Sequence, residues 1–118
     1  MPVTVTIEGA ARQPPAGLDL AAYRVIQESL TNVVKHAPGA GAAVTIRYRP
    51  SGIDVEVLNA GGRPPDGEPT RGQGLRGMAE RVALYDGQFE AGWVDDGYRV
   101  NARFPFDFDE AEPTRADA

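Results

Sequence analysis

Glu28 and Asn32 lie four residues apart, and Lys35 and His36 follow within the next helical turn, a spacing that lines side chains up on one face of a helix. A carboxylate, an amide and a cation converging there could hold a hydrated magnesium ion with its phosphates, because Mg²⁺ prefers oxygen ligands and keeps several waters. The same spacing also describes a solvated helix face on which Glu28 pairs with Arg24. Further along, Gly72-Gln73-Gly74-Leu75-Arg76-Gly77 fits G-x-G-x-x-G, but the dinucleotide fingerprint needs a buried strand directly before it, and here a Pro/Gly-rich stretch precedes. What survives is general physics: glycines leading into a helix expose backbone N–H groups at its positive end, where an anion is favoured. A glycine-rich loop without a ligand is the alternative. Asn59-Ala60-Gly61-Gly62 sets a short polar side chain at a strand end, followed by glycines that let a planar ligand come close or simply make a tight turn. His36 stands at a helix C-terminus, where the dipole favours an imidazolium and a capping or packing role suffices.

The elements that must position these residues can be read from period and punctuation. Val3, Val5 and Ile7 alternate as in a strand, and Gly9 to Gly17, with Pro14-Pro15, reads as a loop. From Asp19 as N-cap to His36, the apolar stripe Ala22, Ile26, Leu30, Val33 and Ala37 predicts a helix with the Glu28–Asn32–Lys35 face opposite it. Pro38-Gly39 ends that helix. Val44, Ile46 and Tyr48, the turn Pro50-Ser51-Gly52, and Ile53, Val55 and Val57 predict an antiparallel hairpin. Between Ala60 and Gly74 five Gly and three Pro exclude a packed element and suggest a functional lid. Leu75, Met78, Val82 and Tyr85 mark a second helix stopped at Asp86-Gly87, with Gly in its usual C-terminal place. Phe89, Ala91 and Trp93, then Tyr98, Val100, Ala102 and Phe104, form a last hairpin around Asp95-Asp96-Gly97, and Trp93 and the tyrosines read as core. The order predicts an α+β fold: a two-layer sandwich with a mixed sheet of about five strands and both helices on one face. Arg47, Arg49, Asp54 and Glu56 would line the other face.

At 118 residues and 12.6 kDa the chain is expected to form one domain, residues 1–106, with an acidic and disordered tail over 107–118. Twelve Lys+Arg against 17 Asp+Glu give a net charge of -5, which argues against a nucleic-acid partner. With no cysteine and one histidine, thiolate catalysis, a cysteine-bearing zinc site and a Ser/His/Asp triad have little to build on. No signal peptide or apolar run of membrane-spanning length is visible, so the expectation is a cytoplasmic domain without direct membrane contact.

Together, three of these stretches resemble the ATP-binding domain of two-component sensor histidine kinases, in the GHKL superfamily with the gyrase-type ATPases. Tyr23 to Ala37 resembles the N box, in the version of the nitrate-sensor-like subfamily. Val57-Leu58-Asn59-Ala60-Gly61 takes the place of the G1 box, and Gly72 to Met78 resembles the G2 box. The resemblance covers nearly the whole chain and implies the Bergerat α/β sandwich. It also implies roles: Asn32 as Mg²⁺ ligand, Glu28 polarising a water or the nucleophile and standing near the metal, and Lys35 and His36 on phosphate oxygens. Gly72, Gln73, Gly74, Leu75 and Gly77 would cradle the phosphates through backbone N–H groups, with Ala60 to Gln73 as the ATP lid and Asn59 and Gly61 at the adenine. The family usually has Asp where Asn59 stands; an amide oxygen still accepts a bond from the adenine amino group, at about half the strength of a charged acceptor. The phosphoacceptor histidine is not expected in this chain. The implied activity is ATP-dependent phosphorylation of a histidine on a separate dimerisation domain, and thence of a response regulator, with this domain itself a monomer. Two other readings stand beside it: a non-catalytic nucleotide-sensing or partner-binding module with a degraded adenine pocket, and an anti-sigma-factor-type serine kinase.

Overall fold

Alternating apolar residues and two turn signals build the sheet. In the computed structural model, which describes residues 2–36, 41–60, 72–94 and 97–106 (for residues 36 and 72–74 the backbone alone), the order is β1 (Val3–Glu8), α1 (Ala16–His36), β2 (Ala42–Arg49), β3 (Gly52–Ala60), α2 (Gly72–Ala83), β4 (Gln88–Val94) and β5 (Gly97–Pro105). The five strands lie in the order β1-β2-β3-β5-β4, with β1 parallel to β2 and every other pair antiparallel. The parallel pair follows from α1, which returns the chain to the same edge. This is the expected α+β sandwich with a mixed sheet.

Register decides what each strand buries. Ile53, Val55, Val57 and Asn59 of β3 share a face with Ala42 and Val44 of β2 and with Tyr98, Val100, Ala102 and Phe104 of β5, and all of these are buried. Both helices cover that face: Leu18, Ala21, Ala22 and Val25 of α1 and Met78 and Val82 of α2 complete one hydrophobic cluster. Tyr85 closes its end with its ring edge-on to Phe104 at 6.4 Å.

The opposite face is charged. Asp54 is buried there because Arg49 Nε and Arg103 Nε donate to its two carboxylate oxygens at 2.6 and 3.1 Å, with Arg47 at 4.0 Å. Arg47 also donates to Glu8 at 2.6 Å, a hydrogen bond that raises the guanidinium pKa above its usual value, and Arg99 donates to Glu56 at 2.7 Å. Cross-strand pairs thus tie β1, β2, β3 and β5 together on the face the helices leave open.

Several expectations need correction. The helix begins at Ala16, so Asp19 is not the N-cap but lies in the first turn, its N–H bonded to the Pro15 carbonyl at 2.9 Å; Pro15 just before the helix, with its fixed φ, suits that start. The buried stripe of α1 is Leu18, Ala21, Ala22, Val25, Ser29 and Val33, while Ile26 and Leu30 are half-buried. The core therefore sits closer to Asn32 than the expected stripe placed it. Tyr23 is exposed and not core. At the end of α2 the left-handed residue is Asp86, at φ 58°, and not Gly87. Gly87 serves close approach instead: a Cβ there would stand 2.5 Å from the Arg103 carbonyl oxygen and 2.6 Å from Val82 Cγ1. The lid segment from 61 to 71 and the tail from 107 to 118 lie outside the described residues. No helix among the described residues is long and apolar enough to cross a membrane.

Candidate functional site

Asn59 is the penultimate residue of β3, opposite Ala42 of β2 and Tyr98 of β5. Hydrogen-bonded on both sides, its backbone cannot swing the side chain outward, and the strand's alternation sends that side chain under α1. Gly97 permits the arrangement, since a Cβ there would collide with the Asn59 carbonyl. The residue is 2 % exposed, and its Nδ2 is the buried side-chain polar atom without a hydrogen-bond partner among the described residues. An unpaired buried amide costs about 1–3 kcal/mol. The fold carries that cost at the floor of a recess between α1 and the sheet, lined by Ser29, Asn32, Val33, Val57, Tyr98 and Val100 as well. Its enclosed volume is about 10 Å³, room for a single water at the floor. Only the edge of a larger group can reach Asn59.

Asn32 brings the α1 face to this recess. It is half-buried beside Val33, whereas Glu28 one turn earlier is half-buried and Lys35 is exposed. No ion pair joins Glu28 to Arg24 or to any other described residue, so the solvated-pair alternative for Glu28 is not what the chain builds. The backbone of α1 reaches His36, but the His36 side chain lies outside the described residues, as does Gly61. Among the described residues no three of His, Cys, Asp and Glu gather as a metal centre; one amide and one carboxylate, with phosphates and waters supplying the other oxygens, are a donor set Mg²⁺ accepts.

The G-x-G-x-x-G stretch is itself the start of α2, which runs from Gly72. The free N–H groups of a helix are those of its first four residues, here Gly72, Gln73, Gly74 and Leu75. Gly77 lies one turn further in, so its N–H belongs to the helical ladder and not to that free set. Nothing lies within 4 Å of a Cβ built on Gly77, so packing does not demand glycine there either. Leu75 is half-buried against the core and fixes the first turn of α2.

Three lining residues escaped the sequence reading as site residues. Ser29 was hidden inside a helix and proves buried, its hydroxyl donating to Met78 Sδ at 3.7 Å; its place three residues before Asn32 and four before Val33 was the available signal. Tyr98 and Val100 face Asn59 and Val57 only through the β3–β5 register, which no local pattern encodes.

No protein-family model matches the chain. It is 32% identical over 92 residues, 77% of its length, to the sensor histidine kinase YxjM of Bacillus subtilis, and spans 22% of that relative. Among solved structures, it superposes on the ATP binding domain of PrrB from Mycobacterium tuberculosis with a TM-score of 0.56 and 26% identity, covering 88% of this chain and 80% of that one. It also superposes on the histidine kinase domain of a blue-light activated histidine kinase from Erythrobacter litoralis EL346, with a TM-score of 0.65, 20% identity, and coverage of 98% and 59%.

Proposed function

The chain belongs to the ATP-binding domains of histidine kinases, and on that premise we propose that it binds Mg²⁺-ATP between α1 and α2 and presents the γ-phosphoryl group to a histidine on a separate dimerisation segment. The observation that carries the reading is the buried Asn59 amide without a protein partner, at the floor of a recess that Asn32 also lines. The base edge meets Asn59. The phosphates extend along α1 toward Lys35 and His36 and toward the N–H groups of the first turn of α2, where the helix dipole favours negative charge. Asn32 offers its amide oxygen to the magnesium ion, and Glu28 stands one turn away to polarise the attacking nitrogen or a water. The bound ion supplies charge neutralisation on the phosphates. Catalysis in such a site is chiefly positioning and electrostatic stabilisation of the transferred group. A response regulator then takes the phosphoryl group from the histidine.

The test is Asn32→Ala and Asn32→Asp in a chain that also carries the dimerisation segment, with phosphohistidine formation from labelled ATP as the readout. Both variants are expected to lose transfer; normal transfer in either overturns the metal-ligand role of Asn32. The neutral amide of Asn59 favours one second reading, a nucleotide-sensing module without turnover. Nucleotide binding with no phosphohistidine in that longer wild-type chain would select it.

A further inference from the structure

We infer that Asn59 makes the base site ambivalent, so that it binds 6-oxo purine nucleotides (hypoxanthine or guanine) comparably with 6-amino ones; the inference rests on the nucleotide reading above. A carboxylate only accepts hydrogen bonds. A primary amide carries an acceptor oxygen and a donor nitrogen side by side, and in Asn59 that nitrogen is buried, held under α1 by a strand paired on both sides, and without a partner among the described residues. It therefore calls for an acceptor from whatever enters the recess.

An adenine edge supplies one. Its 6-amino group donates to Oδ1 while its N1 accepts from Nδ2, two bonds that satisfy the orphaned donor. A 6-oxo purine presents the complementary order, O6 accepting and N1–H donating. Rotating the Asn59 amide by half a turn about its last side-chain bond exchanges Oδ1 and Nδ2 and restores both bonds. Beside Asn59 the recess is lined by Val33, Val57 and Val100 and by Asn32, Tyr98 and Ser29, whose hydroxyl is directed to Met78 Sδ. Among these groups the Asn59 amide is the one with a buried, unpartnered donor, and it can present either hydrogen-bond order to an incoming base edge. A carboxylate at this position has no donor, so it accepts from the adenine 6-amino group or from the N1–H of a 6-oxo purine but leaves N1 or O6, respectively, without a partner.

The test is calorimetric titration of the 118-residue chain with Mg²⁺ and ADP, IDP or 1-deaza-ADP, which lacks the N1 acceptor, for wild type and Asn59→Asp, with circular dichroism confirming that the variant folds. The expected result for wild type is ADP and IDP affinities within about tenfold of each other, and 1-deaza-ADP weaker than ADP by about tenfold or more, the size of one lost bidentate partner. Asn59→Asp, which has no donor to offer N1, is expected to become indifferent to its removal. Wild type that binds ADP but rejects IDP by more than that tenfold margin, or that ignores the loss of N1, overturns the inference and leaves the kinase reading standing. Should Asn59→Asp not fold, the wild-type comparison of the three ligands decides alone. If no nucleotide binds wild type, the nucleotide reading falls first and the inference with it.

Discussion

Two buried polar side chains on the same strand show opposite strategies at the residue scale. Asp54 is a charge whose partners close over it: Arg49, Arg103 and Arg47 arrive from two neighbouring strands. Those arginine side chains are 32 to 53% exposed, so water screens each pair and the network is worth less than a fully buried one. Asp54→Ala is expected to cost about 1–2 kcal/mol, read as a lower urea midpoint at unchanged slope. Asn59 is a dipole left without a partner. Replacing it with an apolar side chain of similar size removes the desolvation cost, and such changes are neutral or stabilising. Asn59→Leu is therefore expected to leave the domain as stable or more so by up to about 1 kcal/mol, while abolishing nucleotide binding. A thermal melt and an ADP titration check the two halves, and a marked fall in Tm would show that Asn59 has a structural partner after all. Stability given up at a binding position is the usual sign that the position serves a ligand.

At the element scale, α2 contrasts two glycines that look alike in sequence. Gly77 sits inside the helix with open space where a Cβ would go, so Gly77→Ala is expected to stabilise by about 0.5–1 kcal/mol through helix propensity. Because the Gly77 N–H is already bonded within the helix, the same variant is expected to bind ADP as well as the wild type does. Gly87 is packed against the Arg103 carbonyl and Val82, and Gly87→Ala is expected to cost about 1–3 kcal/mol by overpacking. Paired denaturation curves should separate the two variants in sign. The sequence pointed to a helix stop at Asp86-Gly87 but exchanged the two roles: Asp86 takes the left-handed turn, and Gly87 lets the chain pass close to β5. The α1 boundary shifted for a similar reason. Pro14-Pro15 reads as a loop signal, yet proline is also at home where a helix begins, and Leu18 draws the first turn into the core.

For the whole molecule, β5 is an interior strand between β3 and β4, and its extension ties back to the β2–β3 turn. Phe106 donates its N–H to the Ser51 carbonyl at 3.1 Å and packs on the core cluster. A chain cut after Phe106 is expected to melt with the same Tm as the full chain, and one cut after Phe104 at a lower Tm; equal loss in both would place the domain boundary beyond residue 106. Much of this fold was legible in local pattern. Period-two runs marked the strands, the three-and-four spacing marked both helices, and the alternation in Ile53-Asp54-Val55-Glu56-Val57 assigned the apolar and charged faces of the sheet. The N-box, G1-box and G2-box stretches likewise singled out Glu28, Asn32, Asn59 and the start of α2 as residues to watch. The sequence by itself thus determined the elements, their faces and the residue types available for chemistry, because those depend on neighbours within a turn or a pleat. Only the tertiary structure decided that the strands run β1-β2-β3-β5-β4, that three arginines bury Asp54, and that Asn59 lies between Ala42 and Tyr98 with its amide nitrogen unpaired. Those facts arise from register between strands whose paired residues stand from 5 to 49 positions apart, and no periodicity within a segment records which partner it will meet.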